Sequence, residues 1–377
     1  MQLNELRTEI DKIDDEIVAL YKKRMQVVKN VAKVKKENSV GVNQSAREDE
    51  IIFRVTENVE SELQPFVKKL FQTLFETSKA YQSSFTTMTS PTVELIRKNF
   101  EKGRLRFPNR ATVACQGVEG AYSSVATKDL FEIPSIMYFK SFEAVFSAVE
   151  AGFCQYGLLP IENSSAGSVN NVYDLMREHK FYIVKSISLK VSHNLLVNEG
   201  ATKESITEIF SHEQALNQCS QYLFDNYKNA KLTVCDNTAT SARMVKESGR
   251  LDIASISSKE SADVFGLKTL DKNIQDSQGN YTRFICISKD MQFYDGANMI
   301  SFMSTLPHKA GSLNKFLGKF AALGLNLTKL ESRPLDKNSD EFMFYFDFVG
   351  NVSSPEIQNL IAESENSSEH FAFLGNY

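Results

Sequence analysis

The chain has 377 residues, 42% of them hydrophobic and 24% charged, with a formal net charge of −4. That length holds two or three domains with cores of their own, and the mild acidity gives no reason to expect nucleic acid or an anionic membrane as partner. Five scattered cysteines and five dispersed histidines argue against a disulfide framework and propose no metal site. No stretch nears the roughly 20 apolar residues that span a bilayer, and charge from Glu5 onward argues against a signal peptide, so a cytoplasmic protein is expected.

Apolar residues fall at Leu3, Leu6, Ile10, Ile13, Ile17, Leu20, Val27, Val31 and Val34, a heptad seam on one long helix. Arg24 interrupts the seam, and a charge there is costly unless something pairs with it. Lys35 lies eleven residues on, on nearly the same face and roughly 16 Å along the axis. A second helix starts near Ser45, which with Glu48 has capping-box spacing. Pro65 opens a third, whose apolar face of Val67, Leu70, Phe71, Leu74 and Phe75 runs into Ser78 and Gln82, one turn apart. Inward Arg, Lys, Ser and Gln in three helices suggest a pocket for a small carboxylate.

This segment resembles the all-helical chorismate mutases, through Leu6-Arg7, Ile13-Asp14, Arg24, Lys35, Arg47-Glu48, Ser78 and Gln82. The resemblance implies that Arg7, Arg24 and Arg47 hold the carboxylates of chorismate. It puts Lys35 and Gln82 at the ether oxygen, Glu48 at the ring hydroxyl, and Gln44 where some members carry an aspartate. A Claisen rearrangement needs no cofactor, only a held reactive conformer and donors where charge develops. Arg7 lies seventeen residues from Arg24, roughly 25 Å along one helix, so a shared pocket requires a partner helix and a homodimer is expected.

After a linker and helix over 85–110, an α/β segment over 111–290 begins with the strand Ala111 to Cys115. Its turn Gly117-Val118-Glu119-Gly120-Ala121-Tyr122-Ser123 offers backbone amides to an anion but lacks the dinucleotide GxGxxG. An apolar strand through Leu158-Leu159 is expected to stop at Pro160. Past it come Glu162, Asn163 and Ser164, then a helix from about Val169 to Glu178. Further polar turns follow at Ser211-His212-Glu213-Gln214, at Asn237-Thr238-Ala239-Thr240-Ser241 and at Tyr281-Thr282-Arg283-Phe284. Several such turns at strand ends argue for a ligand cleft.

Those same turns resemble the prephenate dehydratases. The resemblance implies a two-lobed, periplasmic-binding-protein-like fold with the site between the lobes. It makes Thr282 the residue closest to catalysis and lets Arg283 order the site. Tyr122, Ser123, Glu162, Asn163, Ser164, Gln214, Thr238, Thr240, Ser241 and Phe284 complete the substrate contacts. Losing hydroxide and carbon dioxide together yields an aromatic ring, so the site must help the hydroxyl leave and keep the carboxylates oriented. Thr282 is expected as a hydrogen-bond donor with Glu162 nearby; the residues do not decide which group delivers the proton.

The last segment, 297–377, reads as strand Met299 to Ser304, a helix with Leu313, Phe316, Leu317, Phe320 and Leu323 inward, strands Leu325 to Glu331 and Phe342 to Val349, and a helix Pro355 to Ala362. That βαββα order suggests a ferredoxin-like α+β module. It resembles an ACT domain, with Gly311-Ser312-Leu313 and Glu331-Ser332-Arg333-Pro334 as its phenylalanine-binding motifs; Ser312 replaces the usual alanine. With the helical segment at 1–84, the three blocks in this order resemble the bifunctional chorismate mutase–prephenate dehydratases, which implies chorismate and prephenate as substrates, L-phenylalanine as effector and no cofactor. The rivals are a mutase fused to a dehydrogenase, which needs the missing dinucleotide fingerprint, and a non-catalytic sensory binding protein.

Overall fold

The structure, a computed structural model, describes residues 3–37, 45–83, 85, 88–335 and 341–377, and of these all side chains except those of 35–37, 45 and 83. The chain divides into two compact units, Met1–Glu101 with Asn298–Phe373, and Lys102–Ala297 with Leu374–Tyr377. Among the described residues no helix is long and apolar enough to cross a membrane.

The first unit opens with α1 (Leu3–Glu37), α2 (Ser45–Thr56), α3 (Gln64–Ser83) and α4 (Pro91–Phe100). Only the far part of α1 buries apolar side chains, Val28 and Ala32, while Phe75 is buried on α3. The near part leaves its seam open: Leu3, Ile10, Ile13, Ile17 and Leu20 are each more than half exposed. The heptad stripe of α1 is thus an apolar face left uncovered among the described residues. The capping box expected at Ser45 and the contact expected of Gln44 fall outside the described residues, as does the side chain of Lys35.

The second unit is built from two sheets. The first contains β1 (Arg110–Gln116), followed by α5 (Tyr122–Leu130), β2 (Ile133–Phe139), α6 (Phe142–Glu150), β3 (Tyr156–Asn163), the short β4 (Gly167–Ser168), α7 (Asn170–Glu178) and β5 (Tyr182–Lys190). The chain then builds a second sheet from β6 (Asn194–Val197), β7 (Glu208–Ser211), α8 (Glu213–Gln218), α9 (Ser220–Asn226), β8 (Lys231–Val234), α10 (Thr238–Ser248), β9 (Ile253–Ser257), α11 (Lys259–Phe265) and β10 (Lys268–Asp271). It returns to the first sheet as β11 (Tyr281–Ser288). Strand orders are β2-β1-β3-β11-β5, with β4 on β3, and β10-β6-β9-β7-β8. All five residues of β9 are buried, as a central strand with both faces covered requires. The two crossings between the lobes are tied to each other: Val191 N–H donates to Asn280 O at 2.8 Å and Ile274 N–H to His193 O at 2.9 Å.

Pro160 does not end its strand, contrary to the sequence expectation. β3 runs on to Asn163, and its pairing with β11 shifts register there, Phe284 facing Pro160 but Arg283 facing Glu162. A bulge is how a ladder absorbs a residue without an N–H. The shift sets Glu162 opposite Arg283, and Asn163 opposite Thr282.

The C-terminal segment is β12 (Met299–Thr305), α12 (Ser312–Ala322), β13 (Leu327–Pro334), β14 (Phe342–Val349), α13 (Pro355–Ser367) and β15 (Phe371–Asn376), in a sheet of order β13-β14-β12-β15. α13, expected to end at Ala362, runs to Ser367, and β15, which no sequence pattern announces, completes the order βαββαβ, the ferredoxin-like arrangement. Its core is aromatic, with Phe316 and Phe302 packed at 4.9 and 5.2 Å from Phe346. The linker helix α4 docks on α13, where Arg97 Nε donates to Gln358 Oε1 at 2.8 Å and Thr92 Oγ1 to Glu365 Oε1 at 2.9 Å.

Candidate active sites

The helical part of the first unit gathers polar groups where α1 meets α3. Arg24 Nη1 donates to Leu74 O at 3.2 Å and to Ser78 Oγ. Ser78 and Gln82, one turn apart on α3, are 4% and 8% exposed. Burial pushes the Arg24 pKa below its usual value, with Tyr21 opposing it. The guanidinium is therefore a partly desolvated cation, which favours an anionic ligand. Glu48 of α2 pairs with Lys79 of α3, both sheltered. Lys79 is a residue the sequence reading missed, although it stands next to Ser78 on the polar end of the helix.

Arg47 is engaged by Glu50 at 2.5 Å near the surface. Arg7 is exposed on α1 and makes no ion pair or hydrogen bond among the described residues. The fold thus brings Arg24, Ser78 and Gln82 together from one chain and leaves Arg7 at the open seam.

In the second unit the site is organised by Asn163, 7% exposed. Its Oδ1 accepts from the Ser165 and Ala166 amides, both at 3.0 Å, which closes the turn into β4. Gln214 Nε2, on the opposite lobe, reaches the same oxygen at 3.5 Å. With the oxygen committed, Nδ2 faces the other way. It donates to Asn280 Oδ1 at 2.8 Å, Thr282 Oγ1 at 2.9 Å and Tyr281 O at 3.2 Å. Ser164 is bound into the same turn, its Oγ donating to Gly279 O at 2.8 Å and accepting from Tyr281 N–H at 2.9 Å. Arg283 Nε stands 3.8 Å from Glu162 Oε2. Hydroxyl and amide therefore pair at one ladder position and carboxylate and guanidinium at the next, with Gln214 reaching the amide from the opposite lobe.

Other expected residues are placed differently. Tyr122 is tied to Ser192 O at 2.8 Å and Ser123 Oγ to Gln116 O at 2.7 Å, both holding the start of α5. Ser241 is fully buried and bonds Ser255 Oγ at 2.7 Å, inside the second lobe. Asn237 caps α10 by accepting from Thr240 N–H at 2.8 Å, and Thr238 and Thr240 remain half-exposed in its first turn. Phe284 is 2% exposed and belongs to the first lobe's core with Val113 and Leu158. All five cysteines are free, and burial raises Cys115 and Cys219 to about 12, so neither is a nucleophile at neutral pH. Asn280, Gln218 and His193, which the sequence reading did not single out, complete the polar network.

At the C-terminal sheet, Gly311 takes φ +84 ahead of α12, and a cavity of about 290 Å³ opens beside it, lined by Leu306, Pro307, His308, Ser312, Leu313, Phe342 and Phe344 among others. In the β13–β14 ladder Ser332 pairs with Phe344, Arg333 with Met343 and Pro334 with Phe342. The second motif thus lies along the strand whose phenylalanines line that cavity. Glu331 of the same motif lies 3.7 Å from Lys329 Nζ.

Two family profiles match the chain, prephenate dehydratase over residues 113–292 and chorismate mutase type II over 6–83. The arogenate dehydratase/prephenate dehydratase 1 of Arabidopsis thaliana is 33% identical over 285 residues, covering 71% of this chain and 72% of the relative. The crystal structure of the prephenate dehydratase of Arthrobacter aurescens in complex with L-Phe is 25% identical, with a TM-score of 0.64 over 71% of this chain and 89% of that one. The chain belongs to the prephenate dehydratase family. Within it, the fused mutase segment gives it the arrangement of the bifunctional chorismate mutase/prephenate dehydratases: that of Stutzerimonas stutzeri is 28% identical over 377 residues, covering 100% of this chain and 97% of the relative.

Proposed function

We propose that this chain carries chorismate to prephenate on its helical segment and prephenate to phenylpyruvate on its two-lobed segment, as consecutive steps towards L-phenylalanine, under feedback by that amino acid. In the first step Arg24 holds a carboxylate against Ser78, and Gln82 with Lys35 stabilises the charge that develops on the ether oxygen as the C–O bond breaks. Arg7 reaches the pocket from a second copy of the chain, docked along the open α1 seam. Arg47 swings from Glu50 to the second carboxylate, and Glu48, held by Lys79, takes the ring hydroxyl.

In the second step the electron pair of the bond to the departing carboxylate moves into the ring as carbon dioxide forms, and the ring hydroxyl leaves from the opposite carbon. Hydroxide is a poor leaving group, so the rate depends on a donor at that oxygen. The observation that carries this reading is the register at the β3–β11 bulge. It presents the Thr282 hydroxyl beside Asn163 and the Arg283 guanidinium beside Glu162. Arg283, Gln214, Ser164 and the first turn of α10 hold the remaining polar groups of the substrate.

The C-terminal sheet is read as an ACT module, with phenylalanine in the cavity between Gly311-Ser312-Leu313 and the Glu331-Ser332-Arg333-Pro334 strand. Its apolar lining suits an aromatic ring, and the α12 amides suit a carboxylate. Turnover of prephenate with and without phenylalanine, alongside sedimentation of the protein, tests the reading. It requires that phenylalanine lower the rate and that the protein sediment as a dimer or larger. An unchanged rate at saturating phenylalanine removes the sensor, and an active monomeric mutase removes the shared pocket.

A further inference from the structure

A line of hydrogen bonds runs from the reacting edge of the dehydratase site to a buried histidine at the lobe crossing, and its atoms fix a direction. Asn163 Nδ2 faces Thr282 Oγ1 at 2.9 Å and Asn280 Oδ1 at 2.8 Å. Asn280 in turn donates from Nδ2 to Gln218 Oε1 at 3.0 Å. That same Gln218 oxygen lies 2.9 Å from His193 Nε2. An amide oxygen only accepts, so His193 must present Nε2–H to it. The other ring nitrogen lies 3.4 Å from the Tyr122 hydroxyl, whose hydrogen is spent on Ser192 O. His193 is 2% exposed, and burial moves its pKa below the ordinary histidine value, with the Gln218 bond opposing. The Gln218 oxygen therefore fixes a hydrogen on Nε2, and burial favours the neutral ring.

Each amide in the line would be as well packed if turned over, and only the partners at its two ends decide which way it faces. The end at Asn163 is set by the Ser165 and Ala166 amides. The other end is set by His193. With both ends fixed, Asn163 offers N–H to Thr282, so the Thr282 oxygen accepts there and its own hydrogen is left for another acceptor.

We infer that His193 is a positioning residue of the dehydratase reaction, acting through Gln218, Asn280 and Asn163 to hold the Thr282 hydroxyl as a donor to the departing oxygen. This rests on the reading of Thr282 given above. If His193 loses its N–H, Gln218 can turn its amide nitrogen toward that of Asn280. The mismatch then passes to Asn163, which stays anchored by the Ser165 and Ala166 amides but loses Asn280 Oδ1 as an acceptor, so its hold on the Thr282 oxygen loosens.

The test uses the full-length protein and prephenate. His193→Leu keeps an apolar side chain of similar size without the donor, and His193→Gln keeps an N–H at the Nε2 position. His193→Leu is expected to lower kcat on the order of 10–100-fold with KM changed less than about threefold, and His193→Gln to recover most of that loss. Gln218→Leu should lower kcat to a similar degree, and the double variant should lose no more than either single one, as members of one line do. Gln218 is half-buried, so its variant carries the test if His193→Leu does not fold. Thr282→Val separates the two claims. If it retains turnover, the reading of Thr282 fails. If it is inactive while a folded His193→Leu or Gln218→Leu works at the wild-type rate, or the double variant loses the product of the two single losses, the role of His193 is refuted.

Discussion

Replacing Thr282 by valine removes one hydroxyl and almost no volume, which makes the consequences separable. In the folded protein Asn163 Nδ2 loses one of three acceptors and keeps Asn280 Oδ1 at 2.8 Å and Tyr281 O at 3.2 Å. An amide NH₂ carries two hydrogens, so both still find partners, and the stability cost stays below about 1 kcal/mol. The catalytic cost is larger, because the lost hydrogen is aimed at an oxygen that gains charge as it leaves. Loss of one such preorganised donor lowers kcat by roughly 10²–10³, about 2.7–4 kcal/mol at the barrier. Thr282→Val should therefore melt within about 3 °C of the parent and convert chorismate normally. Formation of phenylpyruvate from prephenate, followed by its absorbance in alkali, should fall at least a hundredfold, on the order expected for one lost donor. A valine variant that keeps more than half of its turnover refutes the donor role.

Arg24→Met should abolish turnover of chorismate, by about 10³ or more for a lost charge at the ligand, while prephenate turnover stays within about twofold. Because burial already disfavours the Arg24 charge, unfolding in urea should show this variant no less stable than the parent. Gly157 of β3 has no room for a side chain, since an added Cβ would lie 2.9–3.0 Å from Val145, Val149 and Ile287. Gly157→Ala should cost about 1–3 kcal/mol in denaturant unfolding by pushing α6 off its sheet. His193 gives a pH signature. Its folded pKa lies below the unfolded value of 6.5, so the folded state binds fewer protons in that interval. Stability is full above about 6.5 and is lost as pH falls from there through the folded value. The parent's melting temperature should drop more steeply over that range than that of His193→Gln.

The sequence displayed the architecture wherever a pattern is periodic. The α1 seam, the interruption at Arg24 and the polar run Ser78 to Gln82 were all visible, because helix spacing alone puts them on one face. Strand-end turns rich in hydroxyls likewise pointed to a cleft. What stayed hidden depends on pairing between distant segments. Pro160 looked like a stop, since nothing local reveals that Phe284 and Arg283 flank a bulge that absorbs it. Asn280, Gln218 and His193 carried no motif, and their bonds span 25 to 117 residues of sequence. Phe284 and Ser241 stood within recognisable turns, yet the fold directs both inward, one to an apolar core and the other to Ser255. Lys79 was passed over because its partner Glu48 lies on another helix.

The central claim is that one chain performs two reactions in series at two separate sets of residues. Purified protein given chorismate alone, with products resolved over time, tests it most directly. The parent should give phenylpyruvate, Thr282→Val should accumulate prephenate, and Arg24→Met should leave chorismate untouched yet convert added prephenate. Chorismate consumed by Arg24→Met, or phenylpyruvate formed at the parent's rate by Thr282→Val, would contradict it.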